Sequence, residues 1–202
     1  LVLLHAPRPF GGDSMLPRAN LRDALSGLDR ADFFVITRAN LVRKVEVKAI
    51  RSRLEDLAPG VPSVTCGLQV SALRPLAGSE ELNASELATG DWLAFCGIGN
   101  PEGFRRTLEE AGCSPASFHA FADHEPYTRR QLEDLLERAR ESNCRALVCT
   151  EKDAVKVERL LRPDDSPPVY ATVTELEFGK GRAEFVAAVM RAIGRTSRCV
   201  PA

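Results

Sequence analysis

"WLAFCGIGNPEGFRRTLEEAGCSPASFHAFADHEPYTRRQLEDLLERARESNCRALVCTEKDAVKVERLL", residues 92–161, decides the fold class. Three apolar runs, "WLAFCGI", "SFHAFA" and "RALVCT", read as strands. Each is followed, across a turn or loop ("GNPE", "DHEPYT", "EKD"), by a charged segment with helical spacing: "GFRRTLEEAG", "RRQLEDLLERARES" and "AVKVERLL". Strands alternating with helices of about ten residues imply βαβ crossovers. The expected fold is therefore α/β, a mainly parallel sheet with helices on both faces.

The flanking sequence extends this pattern. "LVLLHA" (1–6) and "ADFFVITRA" (31–39) read as buried strands, joined by a turn-rich connection with a short helix around "LRDALSGL" (21–28). Residues 42–59 read as a helix with a basic outer face and with Val45, Ile50, Leu54 and Leu57 towards the core. "PSVTCGLQVSALRPLA" (62–77) alternates as one or two strands with Gly67 as a bend, and "GSEELNASELATGD" (78–91) reads as an exposed polar excursion. "PVYATVTELEF" adds a strand and "GRAEFVAAVMRAIG" an amphipathic helix before a frayed tail. A core strand beginning at Leu1 has nothing before it to pair with, so the chain is expected to be the rear part of a longer protein.

Composition narrows the function classes. A net charge of -1 and a pI near 6.4 create no global field that gathers nucleic acid, so any grip on phosphate must be local. Cys66, Cys96, Cys113, Cys144, Cys149 and Cys199 are scattered, with no CxxC pair and no clustering with histidine. They are expected to be reduced, buried thiols, and no metal ligand is assigned. No stretch approaches the roughly 18 uninterrupted apolar residues of a spanning helix.

Several segments can carry chemistry. "CGIGNPEGF" has the spacing G-x-G-x-x-x-G, one residue longer than the dinucleotide fingerprint, and no acidic residue ends the next strand to hold a ribose. It is either a structural turn or an anion site, with Asn100 or Pro101 starting the helix and Glu102 complementing its positive end. Gly179-Lys180 is no Walker A loop, because Gly181 stands where a magnesium-binding Ser or Thr belongs. Asp123, His124 and Glu125 lie in a loop at the carboxyl edge of the sheet, where a carboxylate beside an imidazole can assist proton transfer. The alternative is capping by Asp123 and Thr128 with His124 merely exposed. Thr150, Glu151, Lys152 and Asp153 occupy the same edge, as caps and a surface pair or as a polar cluster facing a ligand. Arg8, Arg18 and Arg22, with Asp23, form a basic edge suited to phosphate.

Together, "RPFGGDSMLPRANLRDALSGLDRADFFVITR", "AFCGIGNPEGFRRTLEEAG", "FADHEPYT" and "TEKDAVKV", in this order and at these separations, resemble the tetraacyldisaccharide 4'-kinase family from the first strand to about Ile193. The resemblance implies part of a P-loop kinase core at 1–68, a smaller Rossmann-like α/β substrate-side domain at 69–170, a strand and helix returning to the core at 171–195, and a tail at 196–202. It implies transfer of the γ-phosphate of ATP, with Mg2+, to the 4'-hydroxyl of a lipid A disaccharide 1-phosphate precursor at the cytoplasmic face of the inner membrane. No nucleic-acid partner is implied.

The family's Walker A loop, catalytic aspartate and paired magnesium aspartates lie upstream of the "RPFG" landmark, so this chain is expected to be an incomplete, inactive fragment. The competing expectation is a non-catalytic α/β module that binds a phosphorylated glycolipid or nucleotide. By the same resemblance the catalytic positions are His124 and Asp123, with His124 pairing the upstream aspartate that acts as base. Arg22 and Asp23 match an Arg-Glu substrate-binding pair, with Asp in place of Glu and "PRANLRD" in place of the usual "PAGPLRE". Glu125 replaces a second histidine.

Overall fold

Strand alternation sorts the apolar side chains of this chain onto opposite faces of its sheet, and helices cover both. The computed structural model describes residues 1–11, 24–78, 80–123 and 125–196. The chain divides into two units, Leu1–Leu68 with Leu176–Ala202, and Gln69–Glu175.

The first unit carries β1 (Val2–His5), β2 (Phe34–Thr37), the start of β3 (Ser63–Pro75), α1 (Lys44–Leu57) and α5 (Arg182–Thr196). β1 runs parallel to β2 with Val2 opposite Phe34, and β2 parallel to β3 with Phe34 opposite Ser63. Leu4, Phe34 and Ile36 pack with Ile50 and Leu54 of α1 on one face. Phe33, Val35, Val64 and Cys66 take the other face, against Phe185 and Ala188 of α5.

Three expectations in this unit change. Val45 is exposed while Ile50 and Leu54 are buried, because Val45 lies five residues before Ile50, well off the 3.6-residue stripe. The short helix is a 3-10 turn over Leu25–Arg30, and the 21–23 part of its expected span lies outside the described residues. Gly67 is no bend, since β3 is one continuous strand of 13 residues. A Cβ there would come within 2.9 Å of Asn40 Oδ1. The missing side chain lets the Asn40 amide sit against the strand, donating to Leu68 O at 3.3 Å and accepting from Leu68 N at 3.4 Å.

The second unit holds β5 (Trp92–Cys96), β6 (Ser117–Ala120), β7 (Ala146–Thr150) and most of β8 (Val169–Phe178), in the order β8-β7-β5-β6 and all parallel. α2 (Pro101–Glu110) packs through Phe104 and Leu108 on the face formed by Trp92, Ala94, Cys96 and Val148. α3 (Arg129–Glu141) and α4 (Glu151–Val157) cover the opposite face, formed by Leu93, Phe95, Leu147 and Cys149. The "EKD" segment is the first turn of α4 and not a separate loop, because Thr150 caps the helix one residue ahead of it.

The polar excursion at 78–91 is only partly exposed. It forms β4 (Leu82–Asn83), antiparallel to β3, and a 3-10 turn over Ala84–Ala88 that is capped by Asn83 and buries Leu87. β3 and β8 pass from one unit into the other and lie side by side in both. Gly179 N donates to Thr65 O at 2.9 Å in the first unit, and Leu76 N to Val169 O at 2.9 Å in the second.

Candidate functional site

Neighbouring strands β5 and β7 send their following helices, α2 and α4, to opposite faces of the sheet. Such a reversal opens a crevice at the carboxyl ends of the strands, the usual place for a ligand in an open α/β sheet. The loops that meet there are 97–100 after β5, 121–128 after β6, and the start of α4 after β7.

Asp153 is the buried centre of this edge, with no solvent exposure. Its Oδ1 accepts from Gly97 N at 3.1 Å, and its Oδ2 accepts from Thr150 Oγ1 at 2.6 Å. A carboxylate taken out of water needs such partners, so Asp153 is at once part of the α4 cap and a tie to the β5 loop. Tyr127 reaches the same point from the β6–α3 loop, its ring edge-on to Phe95 and Phe121 at 5.9 and 5.1 Å between centroids. Its hydroxyl is buried and makes no hydrogen bond among the described residues. Burial, and then the nearby Asp153 carboxylate, hold that hydroxyl protonated far above the ordinary phenol range.

The glycines of "CGIGNPEGF" are used for internal packing. A Cβ on Gly97 would lie 3.1 Å from Tyr127 Oη, one on Gly99 2.9 Å from Asp123 Oδ2, and one on Gly103 2.6 Å from Asn100 Nδ2. Asn100 caps α2 by accepting from Gly103 N at 3.0 Å, with Pro101 in the first turn. The chain's own side chains therefore account for the spacing of all three glycines, without a nucleotide.

The "DHEPYT" loop is fastened at both ends. Glu125 N donates to Ala122 O at 3.1 Å, while the Glu125 carboxylate accepts from Ala122 N at 3.2 Å and from Gln131 Nε2 at 3.0 Å. Thr128 and Gln131 form a capping box at the start of α3. Asp123 lies against Gly99 between these fastenings. His124, Arg22 and Asp23, together with Arg18, lie outside the described residues. Of the four expected site residues, Asp123 alone is placed.

At the carboxyl end of β1 in the first unit, His5 is held towards its neutral form by burial and then by Arg38 and Arg8. This is a local concentration of positive charge. Cys66, Cys96, Cys113, Cys144 and Cys149 are buried free thiols, and burial pushes Cys96 and Cys113 up to about 11. Cys199 and the end of the tail, 197–202, lie outside the described residues. Among the described residues no group of three or more His, Cys, Asp or Glu side chains could hold a metal ion, and no helix is long and apolar enough to cross a membrane.

Sequence reasoning missed Tyr127. Its signal was an aromatic side chain next to a cap residue in an otherwise polar loop. Asp153 was read as a cap or as part of a polar cluster facing a ligand, and its bond to Gly97 was not foreseen because it spans 56 positions.

The family model for LpxK, tetraacyldisaccharide-1-P 4'-kinase, matches residues 1–193. Curated relatives include tetraacyldisaccharide 4'-kinases from Desulfotalea psychrophila, 36% identical over 162 residues (78% of this chain, 44% of the relative), and Halothermothrix orenii, 32% identical over 168 residues (79% and 44%). The kinase of Anaeromyxobacter sp. strain K is 30% identical over 206 residues (100% and 53%). The chain thus spans about half the length of the relatives it matches. The crystal structure of the "apo" form of LpxK from Aquifex aeolicus in complex with ATP shares the fold, with a TM-score of 0.55 and 21% identity over 89% of this chain and 48% of that one.

Proposed function

This chain belongs to the tetraacyldisaccharide-1-P 4'-kinase family, and from that premise we propose that it works as part of a lipid A 4'-kinase. The reaction transfers the γ-phosphate of ATP to the 4'-hydroxyl of tetraacyldisaccharide 1-phosphate. The observation that carries this reading is the family match over 1–193, which takes in the "RPFG" and "DHEPYT" segments together.

In this reading residues 1–68 with the returning segment 171–195 belong to the kinase core, and 69–170 form the substrate-side domain. The new bond forms between the 4'-oxygen and the γ-phosphorus as the β,γ-bridging bond breaks, ADP departs, and the hydroxyl proton passes to a carboxylate base. His124, with Asp123, pairs with that carboxylate and keeps it basic enough to accept the proton. Arg22 and Asp23 hold the disaccharide, Arg22 by a charge-assisted contact to phosphate. Glu125, bonded to Ala122 N and to Gln131 Nε2, anchors the segment that follows the catalytic pair.

The chain has no Walker A sequence. The phosphate cradle and the Mg2+ carboxylates are therefore supplied by residues other than these, and this polypeptide alone should not turn over ATP. The basic outer face of α1 is a surface that can approach an anionic inner membrane.

The test is steady-state kinetics on a catalytically complete kinase containing this sequence. His124→Ala should lower kcat by about 10²–10⁴-fold with little change in KM for the disaccharide. Unchanged turnover in that variant, or phosphoryl transfer by the 202-residue chain alone, would overturn the reading.

A further inference from the structure

A strand that ends at the carboxyl edge of a parallel sheet delivers its next side chains to the place where such sheets bind ligands. In the first unit β1 and β2 end there in register, His5 opposite Thr37, which brings together His5, Arg8 of the turn after β1, and Arg38. Arg8 N donates to His5 O at 2.8 Å, and Ala6 and Phe10, both buried, pin that turn on either side of Arg8. Arg38 sits on a second anchored turn. Its carbonyl accepts from Leu41 N at 3.1 Å, and the nearby Asn40 amide is bonded to Leu68. The Arg38 backbone is left-handed, with φ 53°, a conformation that residues other than glycine seldom adopt.

Like charges gathered at one edge repel unless something negative joins them. Among the described residues neither the Arg8 nor the Arg38 guanidinium forms an ion pair or a side-chain hydrogen bond. Both act on His5 instead, which partial burial and then these two charges hold towards its neutral form. His5 and Arg8 are exposed and Arg38 is half-buried, so the group is open to a solute.

The chemistry of the group selects the ligand. Two guanidiniums beside an imidazole match a phosphate monoester, which carries about two negative charges near neutrality, better than a carboxylate or a diester, which carries a single one. The turn cannot cradle a polyphosphate as a glycine-rich loop does, because Pro7 and Pro9 supply no N–H on either side of Arg8. Recognition by side chains alone suits one terminal phosphate and not a nucleotide's chain of them.

We infer that His5, Arg8 and Arg38 form a binding site for a sugar phosphate monoester, and that in the kinase reaction it holds the 1-phosphate of the acceptor. The identity of the acceptor rests on the function proposed above, whereas binding of a sugar phosphate here is independent of His124.

The test titrates N-acetylglucosamine 1-phosphate into the 202-residue chain at low ionic strength and follows the imidazole signals by NMR. His5 should respond saturably, and at lower concentration than His119, which the single guanidinium of Arg138 approaches at 3.4 Å. N-acetylglucosamine, without the phosphate, should leave His5 unmoved. Arg8→Gln or Arg38→Gln should weaken binding about tenfold or more, and Arg8→Lys less, with far-UV circular dichroism unchanged in all three. In a catalytically complete kinase containing this sequence, the two glutamine variants should raise KM for the disaccharide 1-phosphate and not KM for ATP. Equal responses of His5 and His119, or binding that survives both glutamine substitutions, would overturn the inference. Tighter binding of ADP or of inorganic phosphate through the same residues would also overturn it, by assigning the site to the nucleotide or to free phosphate. Sugar-phosphate binding alongside wild-type turnover by His124→Ala would support the site and sink only the catalytic assignment.

Discussion

Tyr127 presents the clearest conflict at the scale of a residue, a buried hydroxyl beside a buried carboxylate with no hydrogen-bond partner among the described residues. Leaving a hydroxyl dry and unpaired costs about 1–3 kcal/mol. Tyr127→Phe should therefore leave stability unchanged or raise it by about 1 kcal/mol, as read by urea unfolding. A loss of similar size would mean that the hydroxyl does bond Asp153. Asp153 behaves differently, since its carboxylate accepts from both Gly97 and Thr150. Residue identity alone announced neither role. "TEKD" advertised a cap at Thr150, which the structure bears out, but the second bond of Asp153 depends on β7 lying beside β5.

At the scale of elements, local chemistry was legible wherever a signal and its partner lie within a helical turn. Asn100 with Gly103 and Thr128 with Gln131 are such cases. The start of α3 also has a distant anchor. Arg129 grips Asp165 through both terminal nitrogens, with Nη2 to Oδ1 at 2.6 Å, and donates to Leu160 O at 2.9 Å. The Arg129 hydrogen bonds hold the Asp165 carboxyl below its ordinary value of 3.8. A depressed carboxylate contributes stability that is present above its unfolded-state value and is lost as pH falls through the folded one. Asp165→Asn should therefore destabilise the protein near neutrality and flatten the fall in stability below about pH 4, measured by denaturant midpoints across that range. An unchanged acid limb would show that the pair is too well screened to matter.

At the scale of the whole molecule, each unit has its own core: the clusters around Phe34 and Val64 in one, those around Phe95 and Trp92 in the other. Phe95→Ala removes a fully buried ring and should cost the second unit about 3–5 kcal/mol. In native-state hydrogen exchange, β5 and β7 should lose protection before β1 and β2 do. Equal loss throughout would show that the chain unfolds as one body. The order of strands and helices, the helix caps and the family were legible in the chain itself, because each is written in contiguous residues or in motifs whose order the backbone preserves. Only the tertiary structure decided that β7 inserts beside β5, that Leu87 is buried, that β3 runs unbroken past Gly67, and that Tyr127 and Asp153 converge on Gly97. Those outcomes depend on side chains tens of positions apart competing for the same space, and periodicity along a strand or helix carries no information about that competition.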